Sequence, residues 1–447
     1  MRKVQCRNVP TLQSLIRLAV LVIALLPCCP PTVRGEETYT FDQAEIEKKP
    51  WHLGGYAEIR PVINVLDKDA ALYQLQYYKD DPGSTITEYN GRFQLDGSYE
   101  KGMGRVYIKT STDYSYSSES GGNGQTVIYE GYATLKPSDS WKLEAGKKNL
   151  KWGKGYAWNP VNFLDRIKDP YDPELSLEGY VMATVDYIRS FEGPVRTLAI
   201  TPVLFPVNDH INDDVGEDSH LNVAVKLYLL FYDTDLDLIY AGGGTRTPRY
   251  GMDFSRNLST NFEVHGELAS IQRFRKQEMD TDGTLGSETH DTLSGLLGVR
   301  HLTTFDLTTI LEYYHNGTGY SANEMTNYFN FIHSGYQSYQ STGSDRQLVF
   351  AQNLTKGSYS RPSPMEDYLY LKLSQKEPLD ILYFTPSVTV MINLNDQSHS
   401  ITPELLYTGI TNMELRLRAA FIRGARDTEY GEKQNDYRFE IRAGYFF

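Results

Sequence analysis

The chain is 447 residues long with a formal net charge of −13, and its 34 tyrosines and 36 glycines stand against only 3 cysteines. Cys6, Cys28 and Cys29 all lie near the start, so the rest of the chain can build no disulfide scaffold, thiolate metal site or cysteine nucleophile. A body this acidic is a poor partner for nucleic acid.

In chain order, Arg2, Lys3, Arg7 and Arg17 come first without an acid, followed by an apolar run over 18–26 and then Pro27. That run is far shorter than the ~20 residues a spanning helix needs, and the pattern is that of a secretory signal peptide. Val33 and Gly35 are small enough to set cleavage after Gly35. Lipidation at Cys28 is the weaker reading, because Pro27 stands where a small residue is wanted. Residues 1–35 are thus expected to be removed, 36–51 to form a short periplasmic segment, and 52–447 to form one barrel. The short segment is too small for the plug of an energised transporter, which takes well over ~100 residues. Beyond Gly35 no stretch of ~18 apolar residues occurs, so no helix is expected to cross a bilayer.

Period-two alternation begins early. Tyr89, Gly91, Phe93, Leu95, Gly97 and Tyr99 face one way, and Asn90, Arg92, Gln94, Asp96 and Ser98 the other. Val106 and Ile108 likewise oppose Arg105 and Lys109, Leu143 and Ala145 oppose Lys142 and Glu144, and Val264 and Leu268 oppose Glu263 and Glu267. Leu311 then stands against Glu312, and Leu415 and Leu417 against Arg416 and Arg418. The last segment alternates without a break: Tyr437, Phe439, Ile441, Ala443, Tyr445 and Phe447 against Arg438, Glu440, Arg442 and Gly444. Alternation of this kind puts one face in oil and the other in water. Many such strands cross lipid with every backbone group paired only by closing on themselves. The expected fold is all-β, a transmembrane antiparallel β-barrel of about 18 strands, with 16 as the runner-up if one short hairpin is misread. Short periplasmic turns should alternate with long outer connections, among them 66–87, 115–124, 150–179, 207–219, 273–290 and 316–366, while 245–248 and 395–398 are short for outer ones.

The ending through Tyr445 to Phe447 resembles the C-terminal assembly signal of outer-membrane barrels, which implies recognition by the barrel-assembly machinery. A second resemblance lies in residues 151–179, KWGKGYAWNPVNFLDRIKDPYDPELSLEG. Trp152, Gly153, Asn159, Pro160, Asp165 and Pro173 make this stretch similar to the WG…NP loop of porin-like outer-membrane families, alginate-export-like channels among them. The resemblance covers that loop and the barrel pattern, and it implies a porin-like channel in the outer membrane of a Gram-negative bacterium. A loop so rich in packing material can fold into the lumen, with Trp152, Asn159, Asp165 and Asp169 at the constriction, or lie ordered over the rim.

Inward positions near the two chain ends carry Arg60, Arg92, Arg105, Lys109, Lys142, Lys148, Arg416, Arg418, Arg438 and Arg442, one basic arc of the lining. Glu263, Glu267, Glu312 and Glu404 supply a thinner acidic arc, and the two would set up a transverse field. The plainer alternative is that these charges are solvated or paired with neighbours such as Asp96, Glu144 and Glu440. The loop acids Asp67 and Asp69, Asp80 and Asp81, Asp213, Asp214, Glu217 and Asp218, and Asp280 and Asp282 lack the regular spacing of a cation site and read as solvated charge. The nine histidines are scattered; His265, beside Glu263 and Glu267, reads as a lining residue. No catalytic site and no cofactor are therefore expected.

The favoured function is passive diffusion of small hydrophilic solutes or ions. The alternatives are a structural barrel sheathing a multihaem cytochrome or an export complex, and, a distant third, an outer-membrane enzyme. The expected partners are membrane lipids, lipopolysaccharide and the assembly machinery, with a second copy of the chain as a further candidate. The lining cations outnumber the lining glutamates, so a weak anion preference is expected. It should rise when Asp165 and Asp169 are neutralised and fall when Arg92 and Arg105 are.

Overall fold

The computed structural model describes residues 49–447 apart from Glu217, Asp218, Asp282, Ser358 and Ser360. The signal peptide, its cleavage site and nearly all of the 36–51 segment lie outside the described residues, as do those three acids of the loop clusters. Alternating segments pair in sequence order. The first six strands are β1 (Trp51–Leu66), β2 (Thr85–Lys101), β3 (Gly104–Ser117), β4 (Gly121–Ser138), β5 (Trp141–Lys148) and β6 (Tyr180–Ser190). Then come β7 (Val195–Val207), β8 (His220–Phe231), β9 (Thr234–Gly242), β10 (Arg249–Ser259), β11 (Phe262–Met279) and β12 (Leu285–Leu302). The sheet ends with β13 (Leu307–His315), β14 (Asp367–Gln375), β15 (Phe384–Asn393), β16 (His399–Tyr407), β17 (Met413–Arg423) and β18 (Asn435–Phe446). β1 pairs antiparallel with both β2 and β18, with Asn64 opposite Arg438 and Tyr56 opposite Phe446, so the 18-stranded sheet closes and leaves no edge. The count is the 18 expected rather than 16.

The two faces differ as alternation requires. Leu95, Leu143, Leu311 and Leu417 point outward and are exposed, while Gln94 and Glu144 are buried on the inner face. At the end carrying the short turns, Tyr99, Trp141, Phe231, Tyr407 and Phe447 stand exposed as an aromatic ring of the kind that marks a membrane interface. Among the described residues no helix is long and apolar enough to cross a membrane.

Three outer connections differ from the expectation. Those over 115–124 and 273–290 are short, because β3 with β4 and β11 with β12 run on past the wall as paired ribbons. The connection over 316–366 is not irregular: it carries α2 (Ala322–Thr342) and α3 (Arg346–Gly357), against which packs α1 (Ala71–Tyr77) of the first connection. Ser321 and Glu324 form a reciprocal capping box at the start of α2, and Gly343 ends it at φ 75°, a left-handed conformation that glycine adopts at no steric cost. Met325, Tyr328, Phe329 and Ile332, at helical spacing, are buried with Ala71, Leu75, Leu348, Ala351 and Met365.

Candidate pore and its loop constriction

The connection over 149–179 folds into the barrel and is fastened at both ends. Its first half lies on the inner wall of β6 to β11. There Trp152, Val161, Phe163 and Leu164 bury themselves against Met182, Val203, Phe205, Ala224, Ile239, Ala241 and Ala269, all inward-facing and apolar. Two wall carboxylates then hold the WG…NP backbone. The Glu267 carboxylate accepts from Lys154 N (2.5 Å), Gly155 N (2.7 Å), Val161 N (3.2 Å) and Asn159 Nδ2 (3.0 Å). The Glu312 carboxylate accepts from Tyr156 N (2.5 Å) and Ala157 N (2.9 Å), and His265 Nε2 lies 2.9 Å from it. A loop that turns its N–H groups outward needs anionic acceptors when buried, and these two acids meet that need.

The motif residues have separate tasks. Gly153 sits at φ 100°, and a Cβ there would stand 2.8 Å from Glu267 Oε1. At Gly155 a Cβ would come within 2.1 Å of the Trp158 carbonyl oxygen. Asn159 also donates to Gly155 O at 3.0 Å, closing the turn. Trp158 donates to Ser363 Oγ at 2.9 Å and stacks on Tyr314 at 5.0 Å, which joins the loop to the long connection above it. Asp165 accepts from Leu150 N (2.8 Å) and Lys151 N (2.7 Å), and Asp169 from Tyr171 N (2.9 Å), so both acids shape the loop as well as charging it.

The second half of the loop reaches the opposite wall. Arg442 of β18 donates to Asp172 Oδ2 at 2.8 Å, with Arg418 Nη1 3.8 Å from the same oxygen, while Arg416 lies 4.0 Å from Glu174. Burial pushes the Asp172 carboxyl up, but Arg442 and Arg418 together hold it below the usual carboxylate value. For Asp169 burial prevails and its carboxyl is raised.

The structure places the lining residues expected from the sequence as follows. Arg92 pairs with Asp113 (2.5 Å), Lys142 with Asp186 (3.0 Å) and Glu144 (3.2 Å), Lys148 with Glu144, and Arg438 with Glu440 (3.0 Å). Arg60 lies 3.8 Å from Glu58, Arg418 donates to Glu404 at 2.5 Å, and Arg416 contacts Glu414 (3.0 Å) and Glu404 (3.4 Å). Lys109 donates to Ser176 of the loop at 3.0 Å, and Arg105 lies over Tyr107. Glu263 stands 3.5 Å from His265. The basic arc is thus largely matched by acids on the same strand or the adjacent one. Glu267 and Glu312, expected as lining charge, are spent on the loop backbone.

Two cavities flank the loop. On the turn side, one of about 330 Å³ mixes Arg92, Lys109, Arg416 and Arg442 with Glu58, Asp96, Asp172, Glu174 and Glu414. On the long-connection side, one of about 190 Å³ is lined by Arg166, Lys168, Arg249 and Arg361 with the rings of Trp158, Phe163, Phe274 and Tyr314. Arg166 and Lys168 are loop charges the sequence shows, whereas Arg249 and Arg361 are not legible in it, because Arg249 opens a strand next to a short connection and Arg361 lies in the longest one, where no alternation gives a direction.

A closed meander of 18 strands, with short turns at one end and its own loop folded inside, has the architecture of a porin-like β-barrel. Among solved structures, OccAB1 of Acinetobacter baumannii is similar at TM-score 0.50 and 10% identity, over 88% of this chain and 96% of that one. OccK2 (OpdF) of Pseudomonas aeruginosa in complex with glucuronate follows at TM-score 0.48 and 12% identity (89% and 98%), and Pseudomonas aeruginosa OprD at 0.46 and 11% (89% and 95%). No sequence-family profile matches the chain, and no curated protein matches it.

Proposed function

We propose that the barrel is a passive channel of the Gram-negative outer membrane that admits small hydrophilic solutes and weakly favours anions. The observation that carries this reading is the cavity on the long-connection side, where Lys168, Arg249 and Arg361 make no ion pair with an acid among the described residues, while Arg166 is held by Asp214 and Glu178. Walled by protein, cations without matching acids raise the local concentration of anions. The turn-side cavity, with both signs present, orients a passing solute more than it selects one. The expected control by Arg92 and Arg105 accordingly moves outward to Arg249 and Arg361. The lumen is crossed by the chain's own loop, which leaves little space for a sheathed protein. The outward leucines and aromatic ring offer the surface for lipid and lipopolysaccharide, and Phe447 the contact for the assembly machinery.

The purified barrel in a planar bilayer should give stable unitary steps, and its reversal potential under a salt gradient should report a modest anion preference. Arg249→Gln with Arg361→Gln should reduce that preference. Strong cation selectivity, or erratic current without discrete steps, would overturn the reading.

A further inference from the structure

We propose that His333, Asp427 and Glu432 form a site for a divalent transition-metal ion of the Zn²⁺ kind, which ties three outer connections together over the mouth of the barrel. The three side chains come from α2 and from the connection between β17 and β18, and one ligand atom from each lies within 4.8 Å of the others.

The protonation pattern around His333 is what calls for a cation. Gln74 of α1 donates its Nε2 to Asp69 O at 3.2 Å, which turns its Oε1 toward His333 Nδ1, 2.8 Å away. An amide oxygen only accepts, so Nδ1 carries the hydrogen and Nε2 of the neutral ring is a lone pair. That lone pair is aimed at Glu432 Oε2, 3.3 Å off, and makes no hydrogen bond; the ring is only 6% exposed. Asp427 Oδ1 is buried in the same place without a partner. Glu432 is fixed by donors from two connections: Ala71 N to Oε2 (2.5 Å) and Asp427 N to Oε1 (2.8 Å). Three lone-pair atoms thus converge with nothing between them, an arrangement that is repulsive unless a proton or a metal ion joins them.

One imidazole and two carboxylates suit Zn²⁺ or a similar ion better than Ca²⁺, which gathers six or more oxygens. Tetrahedral ligands at ~2.0–2.1 Å stand roughly 3.3 Å apart, the spacing already present between His333 and Glu432. A modest rotation of Asp427 completes the set. The fourth position opens toward a cavity of about 560 Å³ lined by Asp67, Asp69, Tyr336 and Arg426, which can supply a water ligand. The Gln74 carbonyl is the outer acceptor that fixes the ring of a metal-bound histidine. The rival state is an imidazolium paired with Glu432 and no metal.

The test uses the full mature barrel in detergent, stripped with chelator and titrated with ZnCl₂ by calorimetry, with thermal unfolding followed in parallel. One Zn²⁺ should bind per barrel and raise the Tm, while equal Mg²⁺ or Ca²⁺ should not displace it. His333→Gln and Asp427→Asn should each weaken binding by at least about tenfold, and Gln74→Leu by about tenfold, with heat-modifiable gel mobility unchanged. Absence of uptake by the unmodified barrel would assign the cluster to the ion pair. Uptake that ignores all three substitutions, or that Ca²⁺ displaces, would place the ion elsewhere. Either result overturns the proposal, and neither bears on conductance.

Discussion

Glu312 has no exposed surface, and both of its oxygens accept backbone N–H groups of the loop crossing the lumen. Glu312→Ala would leave two buried donors without acceptors, each costing ~1–3 kcal/mol, several times what a surface charge contributes. The expected outcome is a loosened loop, read as larger and noisier unitary conductance with the barrel still folded. Gly155→Ala should act in the same direction for a steric reason, since its new methyl would meet the Trp158 carbonyl. Unchanged single-channel records for both variants would show that the loop is not held there. At this scale the sequence was legible as to direction only. Alternation placed Glu267 and Glu312 on the inner face, but which backbone comes to meet them depends on contacts across more than a hundred residues, and no local spacing encodes those.

The strands were the most legible elements, because a lipid face leaves a period of two. Leu311→Arg or Leu417→Arg on the outward face should cost ~2–4 kcal/mol near mid-membrane, whereas a charge change at inward, exposed Arg105 should cost little; urea titration of the barrel in detergent or lipid compares them. Equal tolerance on the two faces would contradict a membrane barrel. Deletion of Phe447 should lower surface levels. It removes ring stacking on Phe93 and backbone hydrogen bonds in both directions with Gly55, so closure of β18 on β1 loses its last rung. Normal heat-modifiable protein at the surface would count against that. Where elements were missed, the reasons are local. In β11 the pairing register slips between Ile271 and Phe274, with Arg273 at φ 49°, so the alternation breaks there and the sequence pattern stops short of the strand's end. In α2, the Ser321–Glu324 box and the apolar spacing from Met325 to Ile332 were visible, but they lay inside a connection already read as a loop. On the inner face β7 to β9 carry apolar Val203, Phe205, Ala224, Ile239 and Ala241, which on a lumen wall means that something covers them; here it is the loop at Trp152 and Phe163.

Across the whole pore, selectivity should follow pH in a direction the loop determines. Burial raises the Asp169 carboxyl while the arginines hold Asp172 low, so acidification neutralises Asp169 first and leaves Asp172 charged. On acidification reversal potentials should therefore shift toward stronger anion preference, and Asp169→Asn should diminish the shift. A shift toward cations would contradict the placement of that acid in the conducting path. The overall barrel was legible because closure is demanded by every strand at once. The balance of charge within it was legible only in part: pairs within a strand, such as Arg438 with Glu440, follow from local spacing, but those of Arg92 with Asp113 and Arg418 with Glu404 depend on register across neighbouring strands. Finally, the contact between Asp172 and Arg442 joins the third outer connection to β18, the strand that closes the ring on β1. The second half of that loop can take its seat only when β18 has arrived, so until then the ring is open and its bore is not yet set. Permeability is fixed at the moment the ring shuts, and an intermediate stalled one strand short would leak without discrimination.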